Sequence, residues 1–95
     1  MIVEYLRYAV PAEQGEAFVR DYQAASEPLL RSPFALCYDL CRCIDDPTQF
    51  IVRIEWTSAA DHMDRFRSSP EFREFFAHIR PYVGMIVEMR HYTPL

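Results

Sequence analysis

From Phe50 to His62 the chain reads Phe-Ile-Val-Arg-Ile-Glu-Trp-Thr-Ser-Ala-Ala-Asp-His, an order that few folds accept. The strict alternation up to Trp56 describes a strand with one buried face. Ser58 is suited to cap a helix, and Asp61 stands at the third helical position, where the helix dipole favours a carboxylate. Ser69-Pro70-Glu71-Phe72 then repeats the cap-and-proline chemistry of a helix start. A strand that ends on an aromatic ring and a helix that carries an imidazole beside it make two walls of a pocket.

The rest of the chain supplies a sheet for that strand. Residues 2–9 alternate as a first strand. A helix is expected over 11–30, with Pro11 in its first turn and an apolar stripe of Phe18, Tyr22, Ala25 and Leu29. Gly15 weakens its start, and Ser32-Pro33 ends it because proline disfavours helical geometry in the residue before it. Strands at 34–44 and 49–56 flank the turn Asp45-Asp-Pro-Thr48. Phe72, Phe75, Phe76 and Ile79 give the second helix its apolar face, Pro81 closes it, and 83–92 alternate as a last strand. The order βαββαβ predicts an α+β, ferredoxin-like fold: a four-stranded antiparallel sheet with both helices on one face.

The two faces of that sheet differ. Ile2, Leu6, Tyr8, Leu36, Tyr38, Leu40, Phe50, Val52, Ile54, Trp56, Met85, Val87 and Met89 should face the helices. The other face carries Arg7, Arg53 and Arg90 against Asp39, Glu55 and Glu88, among Tyr5, Cys37, Cys41, Ile51 and Ile86. Balanced charge among apolar groups predicts a homodimer stacked sheet on sheet.

Ninety-five residues fit one domain, 1–95, and 51% hydrophobic content can fill its core. A net charge of −4 gives no reason to expect nucleic acid or an anionic membrane as a partner. No apolar run approaches the ~20 residues of a membrane span, and Met1-Ile-Val-Glu4 lacks a signal peptide's basic and apolar regions; the expectation is a cytoplasmic protein. Cys37 and Cys41 would stand ~13 Å apart along one strand, beyond the ~7 Å of a disulfide, so Cys37, Cys41 and Cys43 read as three buried free thiols. No metal-ligand cluster, phosphate loop or dinucleotide fingerprint is apparent.

The strand ending in Glu55-Trp56, Ser58 at the turn and the helix leading to Ser69-Pro70-Glu71-Phe72 resemble the antibiotic biosynthesis monooxygenase domain family, in the dimeric α+β barrel superfamily. The resemblance of layout covers nearly the whole chain. It implies a homodimer with a pocket between sheet and helices in each subunit, and an activity that in some members oxygenates aromatic polyketides or quinols without metal or flavin. Other members degrade haem. Here Phe66 stands where members often carry a helix His, or a Trp in the haem-degrading branch, and Phe76 falls on that branch's haem-ligating His, so haem degradation is not expected. The glycine common after the proline that opens the second strand is also absent, the sequence reading Pro33-Phe34-Ala35.

His62 lies four residues before Phe66, on the same helix face. With an ordinary pKa near ~6.5 it would serve as a pocket base toward a phenolic proton. Trp56, Tyr38 and Tyr8, with Phe66, would hold a hydrophobic or aromatic small molecule. The resemblance then implies a cofactor-independent monooxygenase. The alternative is a non-catalytic binding or structural dimer in which Phe66 and Phe76 fill the space, and open volume beside His62 separates the two.

Overall fold

The computed structural model describes residues 1–95. Strand β1 (Ile2–Ala9) leads through a 3-10 turn (Ala12–Gln14) into helix α1 (Gly15–Arg31). Strands β2 (Ala35–Arg42) and β3 (Gln49–Trp56) follow, then a π-helical segment (Asp61–Phe66), helix α2 (Pro70–Ile79), a 3-10 segment (Arg80–Met85) and strand β4 (Ile86–Tyr92). The sheet is antiparallel in the order β2-β3-β1-β4, the ferredoxin-like arrangement.

Several boundaries move inward from those the sequence suggests. Pro11 precedes a 3-10 turn, so the α-helix begins only at Gly15. Pro28 lies inside α1, where it removes one ladder bond, yet the buried stripe Phe18, Tyr22, Ala25 and Leu29 holds the helix to the sheet. Ser32, extended before Pro33, ends it. The residues before Ile86 coil as a 3-10 segment, so β4 is shorter than 83–92.

Two bulges correct the expected sheet faces. The register slips between Ala35 and Cys37 on β2, and on β4 where Arg7 pairs with Glu88 but Tyr8 with Ile86. Each bulge adds a residue and reverses the alternation beyond it. Leu36 and Val87, expected inside, are therefore 53% and 51% exposed, while Ala35 turns inward and Ile86 joins the core edge.

The core lies between the sheet and the helices, around Tyr8, Phe18, Tyr22, Phe50, Val52, Ile54 and Trp56. Phe75 and Ile79 of α2 are buried in it, whereas Phe72 and Phe76 are only partly covered. The outer sheet face is laced with ion pairs: Arg53 with Glu55 at 2.6 Å and Asp39 at 3.8 Å, and Arg90 with Glu88 at 3.4 Å. The three cysteines are free, but none is buried: on and just beyond the edge strand β2, Cys41 is exposed and Cys37 and Cys43 are half-covered. No helix is long and apolar enough to cross a membrane.

Candidate functional site

A cavity of about 310 Å³ opens between the sheet, the π-helical segment and α2. Its floor is the inner face of β1, where Glu4, Leu6 and Tyr8 follow one another at every second residue. Four residue steps along a strand span about 13 Å. Thirteen of its sixteen lining residues are hydrophobic, so its few polar groups decide orientation.

The wall opposite is built by the turn read from the sequence. Ser58 Oγ accepts a hydrogen bond from the Asp61 backbone N–H at 2.9 Å and starts the helix as expected. The chain then widens into a π turn, a geometry frequent at functional sites. This turns both His62 and Phe66 inward, and both are buried. The His62 ring lies on the Trp56 indole, with centres 4.2 Å apart and planes 16° from parallel. Phe66 also packs against Trp56, with ring centres 4.8 Å apart and tilted by 52°. Ser69 Oγ accepts from the Phe72 N–H at 3.2 Å, starting α2 so that Phe72, Phe75 and Phe76 reach the cavity.

One end of the cavity is polar. Glu4 is 2% exposed, and its Oε1 accepts a hydrogen bond from Trp56 Nε1–H at 3.0 Å. His62 Nε2 stands 3.6 Å from the same oxygen, and His62 Nδ1 and His91 Nε2 are 2.8 Å apart, one donating to the other. The Glu4–His62 distance is that of an ion pair, yet burial drives both groups toward their neutral forms. It pushes the Glu4 carboxyl up to about 7, against the opposing Trp56 hydrogen bond and the Arg67 charge. It pushes His62 down to about 3, with Arg67 and His91 acting in the same direction. His91 is lowered too, by burial and by Arg67. At the far end Tyr8 and Tyr22 share a hydrogen bond of 2.6 Å, and burial raises Tyr8 to about 12.

Glu4, His62 and His91 are also the one cluster whose donor atoms, within 4.8 Å of one another, suit a metal ion. The 2.8 Å between the imidazoles is a hydrogen-bond length; two nitrogens on a tetrahedral zinc stand about 3.3 Å apart.

Of the residues singled out from the sequence, His62, Trp56, Tyr8 and Phe66 meet at this cavity. Tyr38 does not. Its ring lies parallel to Tyr22 at 6.4 Å, beside a shallow hollow with Val19 and Gln23, and its hydroxyl is buried without a partner. Sequence reasoning missed Glu4 and His91. Both carried a signal: Glu4 sits in phase between Ile2 and Leu6, His91 in phase with Met89, and the two pair across the β1–β4 ladder.

The sequence matches the family model for antibiotic biosynthesis monooxygenase over residues 1–78. The chain belongs to that family. Solved structures with the same fold include a Bordetella bronchiseptica protein provisionally named an antibiotic biosynthesis monooxygenase, 23% identical, covering 99% of this chain and 96% of its own, with a TM-score of 0.79. A conserved protein from Methanosarcina mazei is 18% identical over 99% and 92% of the two chains, with a TM-score of 0.80. A single-substitution variant of SnoaB, a cofactor-independent oxygenase from Streptomyces nogalater, is 18% identical over 98% and 91%, with a TM-score of 0.79. No curated protein sequence matches the chain.

Proposed function

We propose that the chain is a cofactor-independent monooxygenase acting on an aromatic, quinol- or anthrone-type small molecule. The open volume beside His62 supports a ligand site over a purely structural dimer, in which Phe66 and Phe76 would fill it. The buried Glu4 and His62 at its polar end favour chemistry over binding alone. The family and the SnoaB likeness support oxygenation. The shape supports a flat, fused-ring ligand: an apolar slot about 13 Å along its floor, with Glu4 and His62 at one end and the Tyr8–Tyr22 hydroxyl pair at the other. Trp56 and Phe66 supply the stacking wall.

In this reading the polar end removes a proton from an activated ring carbon or its phenol. Burial holds His62 neutral, so the proton comes to rest on Glu4, whose affinity is set near neutrality, while His62 orients and hydrogen-bonds the reacting group. The anion passes an electron to dioxygen, and the two radicals join as a C–O bond. The peroxide takes the proton back and loses water. A CH2 group thus becomes C=O, and dioxygen supplies one atom to the product and one to water, with no outside reductant. The low dielectric of the slot keeps the anion reactive.

Dimerisation, typical of the family, is proposed through the outer sheet face, where Tyr5, Ile51 and Tyr92 are exposed among the paired charges.

Oxygen consumption with a panel of anthrones and hydroquinones tests the activity. Turnover should fall roughly 10²–10⁴-fold in Glu4→Gln and in His62→Ala, the usual worth of a positioned acid–base group. No oxygen uptake above the uncatalysed rate with any member would refute it.

A further inference from the structure

Arg67 is the one lysine or arginine that lines the cavity, and it forms no hydrogen bond or ion pair. Only Arg31, Arg53, Arg65 and Arg90 of the ten arginines form ion pairs, so what sets Arg67 apart is that its free guanidinium belongs to a residue of the cavity wall. Arg67 follows directly on Phe66 at the close of the π turn, with an exposed side chain. A residue that both lines the cavity and is exposed stands at its rim, and the Arg67 charge also acts on the buried Glu4, His62 and His91 behind it.

We infer that Arg67 selects ligands bearing an anionic group, and that the cavity takes an aromatic carboxylate with its rings inside and its acid at the mouth. This rests on the reading of the cavity as a ligand site. A neutral hydrocarbon or phenol gives the guanidinium nothing it does not already have from water. A carboxylate gives it two parallel charge-assisted hydrogen bonds in the fork geometry that suits arginine. Position at the mouth matters as much as charge. A fully buried carboxylate would forfeit its hydration, whereas at an open rim it keeps part of its water while the rings displace water from the apolar slot. Glu4 is the one carboxylate lining the cavity, and with burial raising it to about 7 it is mostly protonated at pH 6.5. The ligand's acid therefore meets little opposing charge there at that pH.

Trp56 is the chain's one tryptophan and lines the cavity, so its fluorescence reports occupancy directly. Naphthalene-2-carboxylate, its methyl ester and 2-naphthol serve as probes at pH 6.5, titrated against the full chain and against Arg67→Gln and Arg67→Lys. The carboxylate should bind at least ~10-fold more tightly than the ester or the naphthol to the native chain, a preference of the size a charge-assisted contact gives. That preference should shrink below ~3-fold in Arg67→Gln and be partly kept in Arg67→Lys, which retains charge without the fork. Equal binding of all three probes to the native chain would overturn the role of Arg67 and leave the cavity reading intact. A preference that survives Arg67→Gln would also overturn it. Quenching by none of the probes would overturn both.

Discussion

His62 Nδ1 and His91 Nε2 stand 2.8 Å apart, though one belongs to the π turn and the other to the last strand. The contact ties the wall of the cavity to β4 and leaves His62 Nε2 facing Glu4. Three ionisable groups thus share a largely water-free pocket, and each is driven toward its uncharged form. The consequences are measurable.

Stability should respond to pH in two opposed windows. Glu4 has a folded pKa of about 7 against an ordinary 4.5, so between those values the unfolded chain has lost a proton that the fold still holds. Stability falls as pH rises through that window, by about 3 kcal/mol at most. His62, at about 3 against 6.5, refuses a proton that the unfolded chain accepts, so its contribution is lost as pH falls from 6.5 toward 3. The windows overlap between about pH 4.5 and 6.5, where the opposed slopes offset each other. Urea titrations should therefore show stability rising with pH across 3–6.5 in Glu4→Gln and falling with pH across 4.5–7 in His62→Gln. Curves parallel to the native chain's would show that neither group titrates this way.

Trp56→Phe keeps a ring for His62 to stack on but deletes the N–H that Glu4 accepts. That bond lowers the Glu4 pKa, so its loss should raise it further. The turnover limb set by Glu4 ionisation should move to higher pH. An unmoved limb would assign it to another group.

Phe75 and Phe76 are adjacent in sequence but differ in surroundings. Both border the cavity, but Phe75 is 8% exposed and belongs to the buried core while Phe76 is only partly covered. Phe75→Ala should cost ~3–5 kcal/mol in denaturant titration, as for other buried aromatic truncations, and Phe76→Ala less than about half of that. Either truncation should also admit bulkier probes. Equal losses would mean that Phe76 belongs to the core.

The chain should sediment as a dimer at micromolar concentration, and Ile51→Glu should shift it toward monomer by placing a carboxylate in the middle of the outer face. Ile51 is 40% exposed and pairs with Arg7 and Cys41 in the ladders, away from the cavity. A native monomer, or a dimer indifferent to this substitution, would exclude the sheet face.

Sequence by itself determined the order of elements, the stripe of α1, both serine caps and the meeting of Trp56, His62 and Phe66, because each depends on spacing within a few residues. It also carried the family, through the layout around Trp56 and Ser69-Pro70. What it could not decide was which residues of distant strands share a face. One extra residue at Leu36 and another at Val87 reverse the alternation, and no local pattern announces a bulge whose cause is the partner strand's register. The polar end escaped for the same reason. Glu4 and His91 look like ordinary residues near the two ends of the chain, 87 positions apart. Only the β1–β4 pairing puts them side by side, and only the π turn lowers His62 between them. The charge state of the site belongs wholly to the tertiary structure, since it follows from the water that folding removes.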